Sequence, residues 1–72
     1  MKFENIKLNN ENITIAILEV NFALFQSIEA CDNYRKMFTS IYRNFPLILR
    51  SNDSSGLTVY DGREDIIAVL QN

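Results

Sequence analysis

Three groups of side chains in this 72-residue chain have types that could take part in chemistry: a lone cysteine, a cluster of acids and a set of cations. The cysteine is Cys31. A nucleophilic cysteine normally needs a neighbouring base and a positive environment that stabilises its thiolate. The chain contains no histidine, and Cys31 falls on the apolar stripe of a predicted helix. We therefore expect Cys31 to pack in the core.

The acids Asp61, Glu64 and Asp65 are close in sequence. Catalysis by paired carboxylates requires two acids that converge in a cleft with separated pKa values. Here Asp61 is followed three residues later by Glu64, which is the spacing of a helix capping box. Acids at that place also meet the positive end of the helix dipole. We therefore predict a helix start here, and a protein that is not an enzyme.

Metal and cofactor sites are also not predicted. With one cysteine and no histidine, the usual zinc ligands are missing. The polar segment 52–55 lacks the spacing of acids found in a calcium loop. The two glycines are isolated, so no phosphate-binding glycine loop is expected, and the sequence predicts no cofactor.

The cations lie between Asn33 and Asn52, a segment that contains no acid. They are Arg35, Lys36, Arg43 and Arg50. Arg35 and Arg43 are eight residues apart and share a helix face, which could contact phosphates while nearby tyrosines stack on bases. The simpler interpretation is a solvated helix face near the negative end of the dipole. Because the net charge is −2, nucleic-acid binding is the alternative hypothesis only.

Aromatic residues are unusually frequent around the predicted long helix, and one small sheet is not expected to cover them all. An uncovered remnant would be a protein-binding or self-association patch. We predict Phe22, Phe25 and Tyr42 as its residues. The favoured function is a non-enzymatic interaction module that binds a protein partner or a second copy of itself.

Composition indicates one small domain over residues 1–72, with 47% hydrophobic residues. No apolar run approaches the length of a membrane span. The polar start Met1–Asn5 does not resemble a signal peptide, and with the free cysteine this favours the cytoplasm. Nine Asn and nine Ile are typical of an AT-rich genome, which suggests a bacterial or phage origin. A chain this small gains buried area by oligomerisation or by binding a larger partner.

Periodicity predicts four strands. Residues 2–8 form a weak edge strand, followed by a turn over 9–12. Residues 13–20 are apolar on both faces, which is typical of a central strand. Residues 47–50 and 57–60 flank a polar hairpin loop over 51–56, and a short helix follows.

The segment from Asn21 to Phe45 is predicted to be helical, since apolar residues recur every three or four positions. The stripe consists of Leu24, Ile28, Cys31, Tyr34, Phe38, Ile41 and Phe45. Either Asn21 caps one long helix, or Ser27 caps the main helix after an irregular turn. A break near residues 27–33 also stays open. Pro46 is expected to end the helix.

The predicted fold is a small two-layer α+β domain of order β-β-α-β-β-α. A mixed four-stranded sheet is packed by one long and one short helix, and the second and third strands are parallel through a right-handed crossover. Residues 13–72, with a proline before a β-hairpin and a final helix, resemble the second half of a thioredoxin-type fold. The redox motif of that family is missing, so the resemblance implies a fold and no activity.

Overall fold

A computed structural model describes all 72 residues as a four-stranded sheet with two helices. The elements are β1 (Lys2–Leu8), β2 (Glu11–Glu19), a 3₁₀ turn (Phe22–Gln26), α1 (Ile28–Thr39), β3 (Leu47–Asn52), β4 (Thr58–Asp61) and α2 (Glu64–Leu70). The strand order is β1-β2-β3-β4, and β2 and β3 are parallel while the outer pairs are antiparallel. The predicted α+β class, element order, mixed sheet and parallel central pair are confirmed.

The β1–β2 hairpin closes through a two-residue turn at Asn9 and Asn10. Their φ angles of 52° and 67° are left-handed, as a type I′ turn requires, and asparagine tolerates them better than most residues. Because the turn uses only two residues, β2 begins at Glu11, earlier than its apolar pattern predicts. The turn sets the register in which Leu8 lies opposite Glu11 and Phe3 opposite Ala16.

One face of the sheet carries the main core. Ile15, Ile17 and Ile48 are fully or almost fully buried there. They pack with Ile66 of α2, and the other turns of α2 extend the same cluster. Burying such side chains contributes roughly 1.5–3 kcal/mol each, so this face supplies much of the stability.

The opposite face is covered by α1. Register places Asp61 beside Leu49, on the other side of the sheet from Ile48, and the Asp61 carboxylate meets Arg35 of α1. The two helices thus lie on opposite faces of the sheet and form two helical layers. The two-layer prediction implied a single helical layer on one face. Along the sheet, α1 packs against β3 while α2 contacts β1.

The long helix starts at the second of the two predicted positions. The Ser27 side-chain oxygen accepts a hydrogen bond from the Ala30 amide at 3.2 Å, and Asn21 caps the preceding 3₁₀ turn. The end of the helix was predicted wrongly, because α1 stops at Thr39 and not at Phe45. The hydroxyls of Thr39 and Ser40 donate to carbonyls of the last turn, which offers the backbone an alternative to further helix.

The early end of α1 changes the predicted apolar stripe. Ile41 is 64% exposed and lies beyond the helix, and Phe45 is also exposed. Ile28, the first residue of α1, is 81% exposed. The stripe prediction is therefore wrong at these three residues and right at Cys31, the buried residue of the helix. The remaining stripe residues, Leu24, Tyr34 and Phe38, are half-buried.

Candidate protein-interaction surface

Cys31 is a buried thiol, as predicted. The residue is 3% exposed, and its Sγ donates a hydrogen bond to the Leu24 carbonyl oxygen at 3.4 Å. Burial raises the pKa of the Cys31 thiol, and the nearby Arg35 guanidinium only partly opposes this. The side chain is thus held as a protonated thiol, which is a weak nucleophile.

The predicted capping role of Asp61 is wrong. Asp61 ends β4, and its carboxylate pairs with Arg35 on α1, so it points away from the start of α2. Arg63 precedes α2 and makes no side-chain cap. Glu64 and Asp65 do occupy the first turn, where the dipole favours acids. The hydrogen bond from Arg63 to Asp65, at 2.7 Å, lowers the pKa of Asp65.

The predicted basic strip does not form one surface. Arg50 lies on β3 in register with Tyr60, on the face opposite α1, where its Nε donates to Glu19 at 2.6 Å. That bond raises the pKa of Arg50. Arg35 is held between Asp32, at 2.7 Å, and Asp61. Two of the four cations are therefore paired with acids.

The other two cations, Lys36 and Arg43, form no ion pair. Arg43 lines a cleft of about 400 Å³ together with Arg35 and Arg63. Since Arg35 and Arg63 are each paired with carboxylates, Arg43 is the one unpaired charge in this cleft.

The predicted aromatic residues fall into two separate places. Phe22 and Phe25 lie on the 3₁₀ turn with ring centroids 6.2 Å apart, and both are half-buried. Tyr42 instead contacts Phe3, with centroids 6.1 Å apart, and Phe3 contacts Phe45 at 5.1 Å. The structure brings Tyr42 together with two rings that were not predicted as site residues.

We call Phe3, Tyr42 and Phe45 the aromatic corner. Phe3 stands opposite Ala16 on the α1 side of the sheet, and the small alanine side chain leaves room for the rings. Because α1 covers β3 and not β1, the corner stays open, with Phe3 50% and Phe45 37% exposed. Met1, which precedes β1, is also exposed.

The aromatic corner adjoins an unpaired strand edge. β1 pairs only with β2, so its outer side presents free backbone groups over Lys2–Leu8. The region thus combines exposed rings with backbone donors and acceptors, the two features that a strand-adding partner uses.

Sequence reasoning missed Phe3 because its exposure depends on register. The signal was available in part, since Phe3 is the one aromatic residue in a strand predicted to lie at an edge. The pairing of Phe3 with Ala16 can be derived only when the turn at Asn9 and Asn10 is known to contain two residues.

Comparison with protein-family models, with curated proteins and with solved structures gives no match. No group of three or more His, Cys, Asp or Glu side chains is placed to hold a metal ion. A membrane crossing would need a longer and more apolar helix than α1 or α2 provides.

Proposed function

We propose that this chain is a non-enzymatic interaction module that binds protein through the aromatic corner and the outer edge of β1. The observation that carries the proposal is the position of half-exposed Phe3 on a strand whose outer backbone groups are unpaired. Exposed apolar clusters on small proteins mark interaction sites. The free, buried Cys31 is consistent with a reducing compartment, and we propose a cytoplasmic location.

The physical basis is strand addition. A partner strand beside β1 gains backbone hydrogen bonds, and the side chains beside it supply selectivity. Aromatic side chains contribute strongly to such interfaces because they bury a large area with few rotatable bonds. Phe3 and Phe45 are in position to do this, whereas Phe22 and Phe25 are partly buried and pack on each other.

Nucleic-acid binding, the alternative, has less support. Arg35 and Arg50 are neutralised by acids and lie on opposite sides of the sheet. Lys36 and Arg43 remain, and two cations give a small salt-dependent affinity. Fluorescence anisotropy with a labelled single-stranded oligonucleotide at low salt tests this. Binding that Arg43→Ala abolishes would favour the alternative over the proposal.

Site-specific photo-crosslinking tests the proposal directly. Benzoyl-phenylalanine placed at Phe3 keeps an aromatic ring at the corner, and the same group at Leu57 is the control. Leu57 is 67% exposed, and it precedes β4 at the opposite edge of the sheet.

In cells that express the chain, we expect irradiation to give a discrete protein adduct from position 3. Mass spectrometry then identifies the partner. The control position should give no such adduct. A chain that crosslinks to nothing at position 3, or equally at both positions, contradicts the proposed surface.

A further inference from the structure

We propose that the partner at the β1 edge is a second copy of this chain, joined by antiparallel β1–β1 pairing about a twofold axis at Phe3. This inference rests on the proposed function and names its partner. It combines three observations: the direction of the free backbone groups, the charge pattern along β1, and the exposed rings beside it.

The hairpin geometry fixes which backbone groups are free. In a two-residue hairpin the flanking residues, here Leu8 and Glu11, form a hydrogen-bonded pair. Hydrogen-bonded and non-hydrogen-bonded pairs then alternate along the strands. The N–H and C=O groups of Phe3, Asn5 and Lys7 therefore point away from β2, which leaves them available to a second strand.

Symmetry limits the possible registers. Two β1 strands related by a twofold axis perpendicular to the sheet keep the same faces on the same side. Residues that lie opposite each other must therefore share a face. The axis then lies midway between the two copies of one residue, which we call the centre of the register. The candidate centres along β1 are Phe3, Glu4, Asn5 and Ile6.

Charge selects among these centres. With the axis at Phe3, Lys2 of each copy lies opposite Glu4 of the other, which gives two attractive cross-strand pairs. With the axis at Glu4, the two Glu4 carboxylates face each other. With the axis at Asn5, Phe3 lies opposite Lys7 and Glu4 opposite Ile6. Opposite charges stabilise cross-strand pairs and like charges destabilise them, so the Phe3 register is favoured.

With the axis at Ile6 no opposite-charge pair forms between the strands, because Glu4 then lies opposite the apolar Leu8. In the free chain Lys2 and Glu4 already stand on one face, with the ammonium nitrogen and carboxylate oxygen 3.2 Å apart. Both are partly exposed, with 57% and 35% of their side chains accessible, so the pairs can exchange between copies without burying an isolated charge.

The same register covers the aromatic corner. It sets the two Phe3 side chains opposite each other on the α1 side of the joined sheets. Each Phe3 already contacts Tyr42 and Phe45 of its own chain, so the two corners meet across the axis. The pairing spans only residues 1–5 of each copy. Interfaces burying less than about 1,200 Å² are weak and transient, so we expect a concentration-dependent dimer.

Charge reversal in mixed samples tests this register. Lys2→Glu alone places like acids opposite each other in both cross-strand pairs, and Glu4→Lys alone does the same with cations. Each variant should dimerise at least roughly tenfold more weakly than the wild-type chain. A 1:1 mixture restores two opposite-charge pairs in the heterodimer, although neither chain regains its internal Lys2–Glu4 pair.

Sedimentation velocity over a concentration series supplies the readout, and circular dichroism checks that each variant is folded. We expect wild-type dimerisation, loss in each single variant and recovery in the mixture. Phe3→Ser, compared with Leu57→Ser as the exposed apolar control, gives a second measurement that does not depend on charge. Only Phe3→Ser should weaken the dimer.

A wild-type chain that stays monomeric at every concentration overturns the inference. So does a mixture that is as monomeric as its two components. The proposed function fails separately: a position-3 crosslink to a different protein, with no dimer in sedimentation, refutes the second copy and leaves the interaction surface standing. The absence of any position-3 adduct refutes both.

Discussion

Replacing Gly62 by alanine perturbs the passage from β4 into α2. Gly62 has a φ of 152°, a region that L-residues rarely adopt. A Cβ atom there would lie 2.5 Å from Ile48 Cδ1 and 3.2 Å from the Leu47 carbonyl oxygen. Carbon atoms pack at about 3.5–4.0 Å. Ile48 is fully buried, so its methyl group cannot move aside into solvent.

The expected cost has two parts. Strained backbone costs about 1–3 kcal/mol, and forcing an extra methyl into a packed core costs about 1–3 kcal/mol. The total of roughly 2–6 kcal/mol is comparable to the net stability of about 3–5 kcal/mol expected for so small a domain. Gly62→Ala should therefore be largely unfolded, or have a strongly lowered urea midpoint.

Gly56 provides the matched control. Its φ of 88° is also positive, but nothing lies within 4 Å of an added Cβ. Gly56→Ala should cost only the backbone part, about 1–2 kcal/mol. The difference between the two variants then contains the contact with Ile48 and the difference between the two backbone costs at φ 152° and 88°. Urea unfolding followed by circular dichroism measures both free energies of unfolding.

A suppressor sharpens the test. Ile48→Val removes Cδ1, the atom that the new methyl would meet, and alone costs about 0.5–1.5 kcal/mol. In the Gly62→Ala background it should cost less, or should restore stability. The reasoning is refuted if Gly62→Ala and Gly56→Ala differ by less than about 0.5 kcal/mol, the range of ordinary surface substitutions.

Three further predictions concern ionisable groups. Arg35→Ala and Asp61→Ala should each lower the free energy of unfolding by about 1–2 kcal/mol, and the double variant should cost less than their sum; additivity would argue against the ion pair. Burial raises the pKa of Cys31 above its ordinary 9.0, so the folded state keeps a proton that the unfolded state releases. Stability should therefore fall as pH rises above 9.0, and urea unfolding of Cys31→Ala should lack that component. Hydrogen bonds from Ser55 lower the pKa of Asp53 below 3.8. Its contribution is present above pH 3.8 and lost as pH falls through the lowered pKa, so thermal unfolding of Asp53→Ala should be less acid-sensitive than that of the wild type; equal acid sensitivity would count against these bonds.

Local sequence signals were enough to predict the sheet. The two-sided apolar pattern of β2 identified a central strand, and the connection through one helix required β2 and β3 to be parallel. Pro46 correctly marks the region before β3, although α1 ends at Thr39. At the end of α1 the hydroxyls of Thr39 and Ser40 form hydrogen bonds with backbone carbonyls. The spacing of apolar residues contains no information about such bonds.

Contacts between distant residues were not predictable from these patterns. Asp61 has the spacing of a helix cap, but Arg35 of α1, which lies on the same face of the sheet, offers it a charged partner. The aromatic corner likewise depends on the register that puts Phe3 opposite Ala16. Tyr42 was predicted as an interaction residue and Phe45 as part of the helix stripe, but the contacts that both make with Phe3 were identified only from the structure.

Each helix packs against the hairpin that it does not directly follow, and this has a consequence for unfolding. The chain consists of two antiparallel hairpins, β1–β2 and β3–β4, which are joined by the parallel pairing of β2 with β3. The helix after the first hairpin packs on the second, and the helix after the second contacts the first. Neither half can open without uncovering apolar surface on the other. The two halves should therefore unfold together in one cooperative transition, with amides of both hairpins exchanging at the same rate-limiting opening.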